Sequence, residues 1–324
     1  MKQLKNIQAR LSGDLDAMNG IIRESLATPN RMMNDIVTRY LEVKGKQIRP
    51  LLVILSARMF GGVTDEVLYA GAALEMLHNA SLIHDDVVDE TMLRRGVPTV
   101  NSRMGNHVAV LVGDFFVSNA LAAGIRTGNI AVISALSQLG KELSLGEIDQ
   151  ISNAREGHYD EESYLSMIHQ KTASLFMNCV GMGADVVGAP EERKRRLVRF
   201  AELLGLCFQI RDDIFDYFDG AEIGKPTGND LREGKVTLPL LYALDNAPEP
   251  ARTEMRELLN HDALQADEIS QLIEFAKANG GIDYAYSRMR DMQQEAAVEL
   301  ADFPESDSKQ SFLDIFDYII ERTL

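Results

Sequence analysis

Six aspartates carry the first chemical signal in this chain. They form two copies of Asp-Asp-x-x-Asp, first Asp85, Asp86 and Asp89, then Asp212, Asp213 and Asp216, each within an otherwise apolar stretch of helical period. An apolar helix has no structural use for three carboxylates on one side, and buried charge is costly enough that such clusters meet cations or metals. On an α-helix, positions i, i+1 and i+4 fall at about 0°, 100° and 40° around the axis, so each triplet lies within one arc and can share a ligand. The three groups repel one another unless a cation neutralises them or one holds a proton. Oxygen donors without a Cys or His pair beside them suit Mg²⁺, with Mn²⁺ as a substitute, better than zinc. His84 adjoins Asp85 but reads as a core or supporting histidine rather than a ligand. Mg²⁺ keeps several waters and is completed by phosphate oxygens, so two triplets suggest one phosphate-bearing ligand held between them through several metals.

Basic residues stand where such a ligand needs them. Lys46 and Arg49 lie three apart in Gly45-Lys46-Gln47-Ile48-Arg49-Pro50, Arg94-Arg95 follows the first triplet, and Lys171 precedes Thr172. Lys225 and Lys235 flank a glycine-rich stretch after the second triplet. Arginine offers a fork matched to phosphate oxygens and lysine a mobile point charge. The chain as a whole is acidic, with a net charge of −16 and a pI of about 4.8. That balance disfavours nucleic acid and anionic membrane surfaces as general partners and makes local basic clusters more informative.

The elements that must position these groups read as helices almost throughout, with no sustained alternation of period two. Helical segments are expected at 3–27, 31–44, 50–59, 64–89, 100–125, 129–152, 161–187, 191–218, 236–246, 249–258, 266–279, 281–301 and 308–322. Arg94 to Pro98 is expected as a loop, and Asp219 to Lys235 as one long irregular stretch of the kind usually tied to function. The remaining punctuation is short, and no segment resembles a linker. The reading is an all-α fold, a single domain over 1–324 built as a bundle of ten or more mostly antiparallel helices. Val108 to Ile125 is the longest apolar segment; it contains Asp114 and is expected as a buried core helix rather than a membrane span. Met1 to Lys5 lacks the apolar stretch of a signal peptide, and Cys179 and Cys207 read as buried reduced thiols, so a cytoplasmic protein is expected.

Taken in order, these motifs resemble the all-trans polyprenyl diphosphate synthases. Leu82 through Glu90 with Arg94-Arg95-Gly96 is similar to that family's first aspartate-rich motif, and Phe208 through Asp216 to its second. Gly45-Lys46-x-x-Arg49-Pro50, Lys171-Thr172, Gly224-Lys225-Pro226, and Asp230 through Pro239 fall in the family's order, so the likeness covers about residues 40–240. The resemblance implies an all-α homodimer with a deep central cavity in each subunit. It implies that an allylic diphosphate (farnesyl or geranyl) loses diphosphate, that isopentenyl diphosphate attacks the carbocation, and that a proton then leaves. On that likeness Asp85, Asp86, Asp89, Asp212, Asp213 and Asp216 hold about three Mg²⁺. Arg94, Lys171 and Lys225 grip the allylic diphosphate, with Thr172, Gln209 and Lys235 supporting that site. Lys46, Arg49, His78 and Arg95 bind isopentenyl diphosphate. His78 lies about 20° from Asp85 on an ideal wheel, on the side that role requires.

Product length is expected to follow from the residues below the first triplet. Ala80 and Ser81 stand five and four positions before Asp85, where short-chain members of the family often carry a bulky aromatic. Small residues there point to a long product such as octaprenyl diphosphate, a quinone side-chain precursor that can be handed to a membrane. Leu136 and Leu139 are weaker candidates for the floor of the channel. A geranylgeranyl or farnesyl synthase remains the nearest alternative. A terpene cyclase would not need a second diphosphate site, and a noncatalytic subunit of a heteromeric synthase would be expected to have lost a triplet.

Overall fold

The computed structural model describes residues 2–43, 45–156, 159–218, 227–261 and 264–322. The described residues run through α1 (Lys2–Arg10), α2 (Ser12–Ser25), α3 (Arg31–Glu42), α4 (Ile48–Phe60) and α5 (Asp65–Val88). A hairpin of β1 (Leu93–Arg94) and β2 (Val97–Pro98) leads to α6 (Val100–Met104), α7 (Asn106–Arg126) and α8 (Ile130–Glu156). Then come α9 (Glu161–Ile168), a π-helical turn (His169–Ala173), α10 (Ser174–Val186) and α11 (Glu191–Phe215). The chain closes with α12 (Asn229–Arg232), α13 (Leu238–Asn246), α14 (Ala251–Leu258), α15 (Ala266–Ala278), α16 (Gly281–Leu300) and α17 (Asp307–Glu321). The all-α expectation holds, and the two-residue strands of the hairpin are the only sheet among the described residues.

Two compact units emerge. The first comprises residues 1–141, 176–199 and 302–315; the second comprises 142–175, 200–301 and 316–324. In the first, α5 carries the first aspartate triplet and packs against α7, α2 and α4. Its start is fixed by Thr64, whose hydroxyl accepts from the Val67 amide, with Asp65 and Glu66 in the first turn. From Val67 to Ile83 most of its side chains are buried, including Ala70, Ala73, Leu74 and Met76, and the rest are half-buried, because it is covered on several sides. Gly113 of α7 allows close approach to α5: a Cβ there would fall 2.2 Å from His84 Nε2. In the second unit, α13 packs against α14, α15 and α16 around Tyr217, Leu240, Leu244, Leu272 and Phe275.

Several boundaries depart from the sequence expectations, each for a local reason. The expected helix over 3–27 is interrupted at Leu11, although backbone bonds from Leu11 to Ile7 and from Leu15 to Leu11 carry the helical path through. The helix expected over 100–125 is cut at Gly105, whose φ of +81° an L-residue rarely adopts. The 161–187 segment contains the π-helical turn, an extra residue that a 3.6-residue period conceals. The expected loop at 94–98 is a two-residue hairpin with Arg95 (φ +53°) and Gly96 (φ +76°) at its tip, the positive-φ pair of a type I′ turn. A short helix, α12, stands in the stretch expected to be irregular.

The apolar helix α7 also differs from expectation. One side is buried against α5, but Leu111, Leu121 and Ile125 are 62%, 40% and 66% exposed. By length and composition α7 is long and apolar enough to cross a membrane; in the first unit one side packs on α5 and the uncovered side is also largely apolar. The two cysteines are buried and unbridged, as expected.

The contact that seats α4 in the first unit is testable. A Cβ at Gly183 would fall 2.4 Å from the Val53 carbonyl oxygen, which belongs to helix backbone and cannot turn aside. Gly183→Val is expected to cost roughly 2–3 kcal/mol, the range for overpacking a close-packed contact. Denaturant unfolding with an unchanged midpoint would contradict this account of the contact.

Candidate active site

In the first unit, the last turns of α5 give the three aspartates of the first triplet different surroundings. Asp86 is buried, and its carboxylate accepts from Arg94 Nε at 2.8 Å and pairs with Arg94 Nη2 at 2.7 Å. Asn101 donates to the Asp86 carbonyl at 2.9 Å, tying the end of α5 to α6. Asp85 is half-buried and Asp89 exposed, one turn apart on the same side of the helix. His84 faces α7, with Nε2 at 3.3 Å from the Val110 carbonyl and 3.5 Å from Asp114. It is turned toward α7 and half-buried.

The basic residues expected for a second diphosphate assemble near His78. His78 is buried, and burial together with the nearby Arg49, Arg95 and Arg94 guanidiniums pushes its pKa well below the usual imidazole range. It is therefore a neutral hydrogen-bonding group at physiological pH. Arg49 stacks over the Phe176 ring at 5.5 Å. Arg95 donates to the Val43 carbonyl at 3.3 Å and lies so close to Gly45 that a Cβ there would fall 2.8 Å from its guanidinium. The Gly45-Lys46 turn and the hairpin tip are thus held side by side, and the Lys46 carbonyl accepts from Gln8 at 2.8 Å.

Two residues of this cluster carried no chemical motif in the sequence. Glu75 lies one turn before His78, with its carboxyl pKa raised by burial against the opposing pull of Arg49 and Arg95. Tyr40 donates to the Asn79 side chain at 3.3 Å and packs edge-on against Phe116 at 5.5 Å. A lone glutamate in an apolar helix was the available signal for the first; the second carried none.

The second triplet sits in the second unit at the end of α11, and it too is divided. Asp212 is 40% exposed and accepts from Arg322. Asp213 is buried and has both oxygens engaged, accepting from the Tyr164 hydroxyl at 2.6 Å and from Gln209 at 2.7 Å. Thr172 donates to Gln209 at 2.7 Å, so Thr172, Gln209 and Asp213 form one chain of hydrogen bonds. The oxygens of Asp216 accept from the Asn229 and Asp230 amides, each at 3.0 Å, capping α12. Burial drives the Asp213 pKa up to about 6, with neighbouring Asp212 and Asp216 adding to the rise against the Tyr164 and Gln209 hydrogen bonds. Tyr164 keeps its proton, since burial and the adjacent Asp213 both raise its pKa.

Lys171 and Thr172 fall in the π-helical turn, where an extra residue re-aims side chains. Lys171 pairs with Glu147 at 2.6 Å and donates to Gln150 at 2.9 Å. Lys235 pairs with Glu233 at 2.5 Å. Lys225, with Gly224 and Pro226, lies outside the described residues. Ala80 is buried one turn before His84 on the side of α5 that meets α7, while Ser81 is half-buried and donates to the His78 carbonyl at 2.9 Å. Leu136 and Leu139 are buried.

The donor chemistry suits a hard divalent cation. Among the described residues no three potential ligands converge into a ready-made metal cage. Mg²⁺ does not require one: it takes one or two carboxylates and completes its shell with water and phosphate oxygen. Asp85 and Asp89 on one helix face, and Asp212 at the surface, present that kind of ligand. The pKa of Asp213 is raised chiefly by burial, with a further contribution from Asp212 and Asp216 that a nearby cation would offset.

A sequence model of the polyprenyl synthetase family matches residues 30–276. The chain is 34% identical to an all-trans-nonaprenyl-diphosphate synthase (geranyl-diphosphate specific) of Rhodobacter capsulatus, the alignment covering 98% of both proteins. It is 30% identical to the octaprenyl diphosphate synthase of Escherichia coli over 98% of this chain and 99% of that one. The crystal structure of a polyprenyl synthase from Caulobacter crescentus, complexed with calcium and isoprenyl diphosphate, has a TM-score of 0.92 at 29% identity, covering 98% of each chain. The protein belongs to the polyprenyl synthetase family and is a trans-prenyltransferase of the long-chain polyprenyl diphosphate synthase type.

The Tyr164 contact yields a prediction with a sign in pH. Tyr164→Phe removes a donor from a buried carboxylate that is ionised above about pH 6. Hydrogen bonds to charged groups contribute about 1.5–3 kcal/mol and neutral ones about 0.5–1.5 kcal/mol. In denaturant unfolding without divalent metal, the loss should therefore be larger at pH 8 than at pH 5. Equal losses at both values would show that the hydroxyl does not serve the ionised carboxylate.

Proposed function

We propose that this enzyme condenses a short allylic diphosphate with successive molecules of isopentenyl diphosphate to give a long all-trans product of octaprenyl length. The observation that carries this reading is the first-unit cluster. Asp85 and Asp89 share one face of α5, and Arg49, Arg94 and Arg95 gather about a neutral His78 two turns earlier. Two sets of groups, carboxylates for a metal-bound diphosphate and guanidiniums for a bare one, match the two diphosphate substrates of a chain-elongating reaction.

Asp85, Asp86, Asp89, Asp212, Asp213 and Asp216 form the proposed metal-binding set. Asp85 and Asp89 in the first unit and Asp212 in the second are the more exposed members, while Asp86, Asp213 and Asp216 are each positioned by hydrogen bonds within their own unit. Mg²⁺ bound there supplies positive charge to the oxygens of the departing diphosphate, with Mn²⁺ as an alternative. Arg94, Lys171 and Lys225, by the family resemblance, would add positive charge to that group, which would lower the barrier to ionisation. Thr172, Gln209 and Lys235 orient that site. Lys46, Arg49, Arg95 and His78 bind isopentenyl diphosphate and present its double bond. Excluding water protects the allylic cation, and released diphosphate accepts the proton that leaves.

A long product is supported by the small side chains at Ala80 and Ser81 and by the similarity to long-chain synthases. A homodimer is supported by the exposed Leu111, Leu121 and Ile125, which lie within about 80° of arc on one side of α7. An apolar stripe of that kind is ordinarily covered by a partner. The free thiols and acidic composition suit a cytoplasmic enzyme.

Mass analysis of products formed by the purified chain with Mg²⁺, farnesyl diphosphate and isopentenyl diphosphate tests the reading. A single prenyl diphosphate of about eight isoprene units is expected, with no turnover in excess chelator. Asp85→Ala and Asp212→Ala should each lower kcat by about 10²-fold or more while the fold persists, since each removes a group that stabilises developing charge. A wild-type rate in either would sink its metal role. Ala80→Tyr and Ser81→Phe should shorten the product, and an unchanged length in both would dismiss the channel. Leu111→Arg combined with Ile125→Arg should shift sedimentation from dimer to monomer; an unaltered profile would place the interface elsewhere.

A further inference from the structure

A cavity of about 830 Å³ in the first unit is used by none of the chemistry above, apart from one shared edge. It opens between α3, the hairpin and α6. Its charged lining comprises Arg31, Arg39, Arg94, Arg95 and Arg103 against Asp35, Glu42 and Asp86, an excess of two positive charges in a chain whose net charge is −16. Arg94 is already paired with Asp86, and Arg95 reaches the Val43 carbonyl. Arg31, Arg39 and Arg103 make no hydrogen bond, ion pair or ring contact among the described residues. Arg31 and Arg39 stand two turns apart on α3, and Arg103 comes from α6, so separate elements bring the three together.

The rest of the lining is apolar. Met32, Ile36, Leu82, Val97 and Met104 face the same space, and Met32, Val97 and Met104 are 48%, 39% and 40% exposed. Unpaired guanidiniums beside solvated apolar side chains match a molecule with an anionic head and a hydrocarbon tail. Guanidiniums bind phosphate oxygens through paired N–H donors. Methionine and branched aliphatic side chains conform to a flexible chain. The volume lies within the range of small-molecule sites.

We propose that this cavity is a second ligand site, binding an amphiphilic phosphate ester with its phosphate at Arg31, Arg39 and Arg103 and its tail against Met32, Ile36 and Val97. The tail is either isoprenoid, as in a prenyl phosphate or diphosphate, or acyl, as in a phospholipid. An isoprenoid source rests on the proposed reaction; the chemistry of the cavity does not. Arg94 and Arg95 line both this cavity and the proposed substrate site, so an occupant would draw them from substrate diphosphate and slow turnover. The cavity would then sense accumulated product or the lipid to which product is delivered.

The test is titration calorimetry on the full chain in excess chelator, which suppresses metal-dependent binding at the aspartates. The probes are farnesyl monophosphate, dihexanoyl phosphatidic acid and inorganic diphosphate. Saturable binding of a tailed probe is expected at about one per chain, weakened about tenfold or more in Arg39→Ala/Arg103→Ala through loss of charge-assisted hydrogen bonds. Both arginines are exposed and outside the proposed catalytic set, so the variant should fold and turn over normally without added amphiphile. Met32→Ser should weaken the tailed probes and spare inorganic diphosphate. The tighter of the two tailed probes identifies the tail. The proposal is overturned if neither binds saturably, if the arginine variant binds as wild type does, or if inorganic diphosphate binds as tightly as both. Loss of turnover in the wild-type chain would defeat the proposed reaction and leave this binding result standing.

Discussion

Negative charge set among apolar helices must be compensated, and this protein compensates it one carboxylate at a time. Asp86 has Arg94, Asp213 has a phenol and an amide, Asp216 has two backbone N–H groups, and Asp212 has Arg322. Apart from Gln209, which stands one turn before Asp213 on α11, each partner comes from an element other than the helix bearing the aspartate. The ends of α5 and α11 are therefore held in place by their own charges, and the hairpin, α9 and α12 gain a defined position by answering them. Where compensation is incomplete the cost is visible. Asp213 remains hard to ionise, with its pKa at about 6, because hydrogen bonds do not fully offset burial beside two other carboxylates.

The same constraint gives the aspartates of each motif different surroundings. A carboxylate whose two oxygens each accept a hydrogen bond inside the protein is held in one orientation, while one nearer the surface is more open to solvent. Asp213 and Asp216 belong to the first kind. Asp85, Asp89 and Asp212 lie where a hydrated cation can reach them. On the guanidinium side the logic is reversed: burial, together with the nearby Arg49, Arg95 and Arg94, keeps His78 neutral. Within the protein this positive charge is partly answered by Asp86, paired with Arg94, and by the Glu75 carboxyl near Arg49 and Arg95. The backbone contributes too, since Arg95 occupies a positive φ at a hairpin tip, a conformation that non-glycine residues adopt where position matters more than comfort.

Much of the site was legible because its signals are local. The Asp-Asp-x-x-Asp spacing on a helix, the arginine pair after it and the Lys-Thr pair are short patterns whose residue types already carry the chemistry. Helices were legible for the same reason, since burial on one or more sides imprints a 3.6-residue period. The features missed are those in which the backbone leaves that period. Gly105 cuts a helix by its φ, the turn at 169–173 adds a residue, and Arg95-Gly96 makes a tight hairpin of an expected loop. Tyr164 and Glu75 were missed because their partners, Asp213 in one case and Arg49 and Arg95 in the other, are distant in sequence.

By itself the sequence determined the inventory: an all-α chain, two acidic triplets, a set of cations to answer them, and small residues before the first triplet. Those are properties of residue type and near-neighbour spacing, which the chain states directly. Only the tertiary structure decided how each group is employed. Which aspartate is committed to a protein donor, which arginines remain unpaired around a cavity, and which side of α7 is left bare depend on contacts between segments far apart in the chain. Burial and hydrogen-bond partners set the charge state and availability of a side chain, and neither can be counted until the helices have packed.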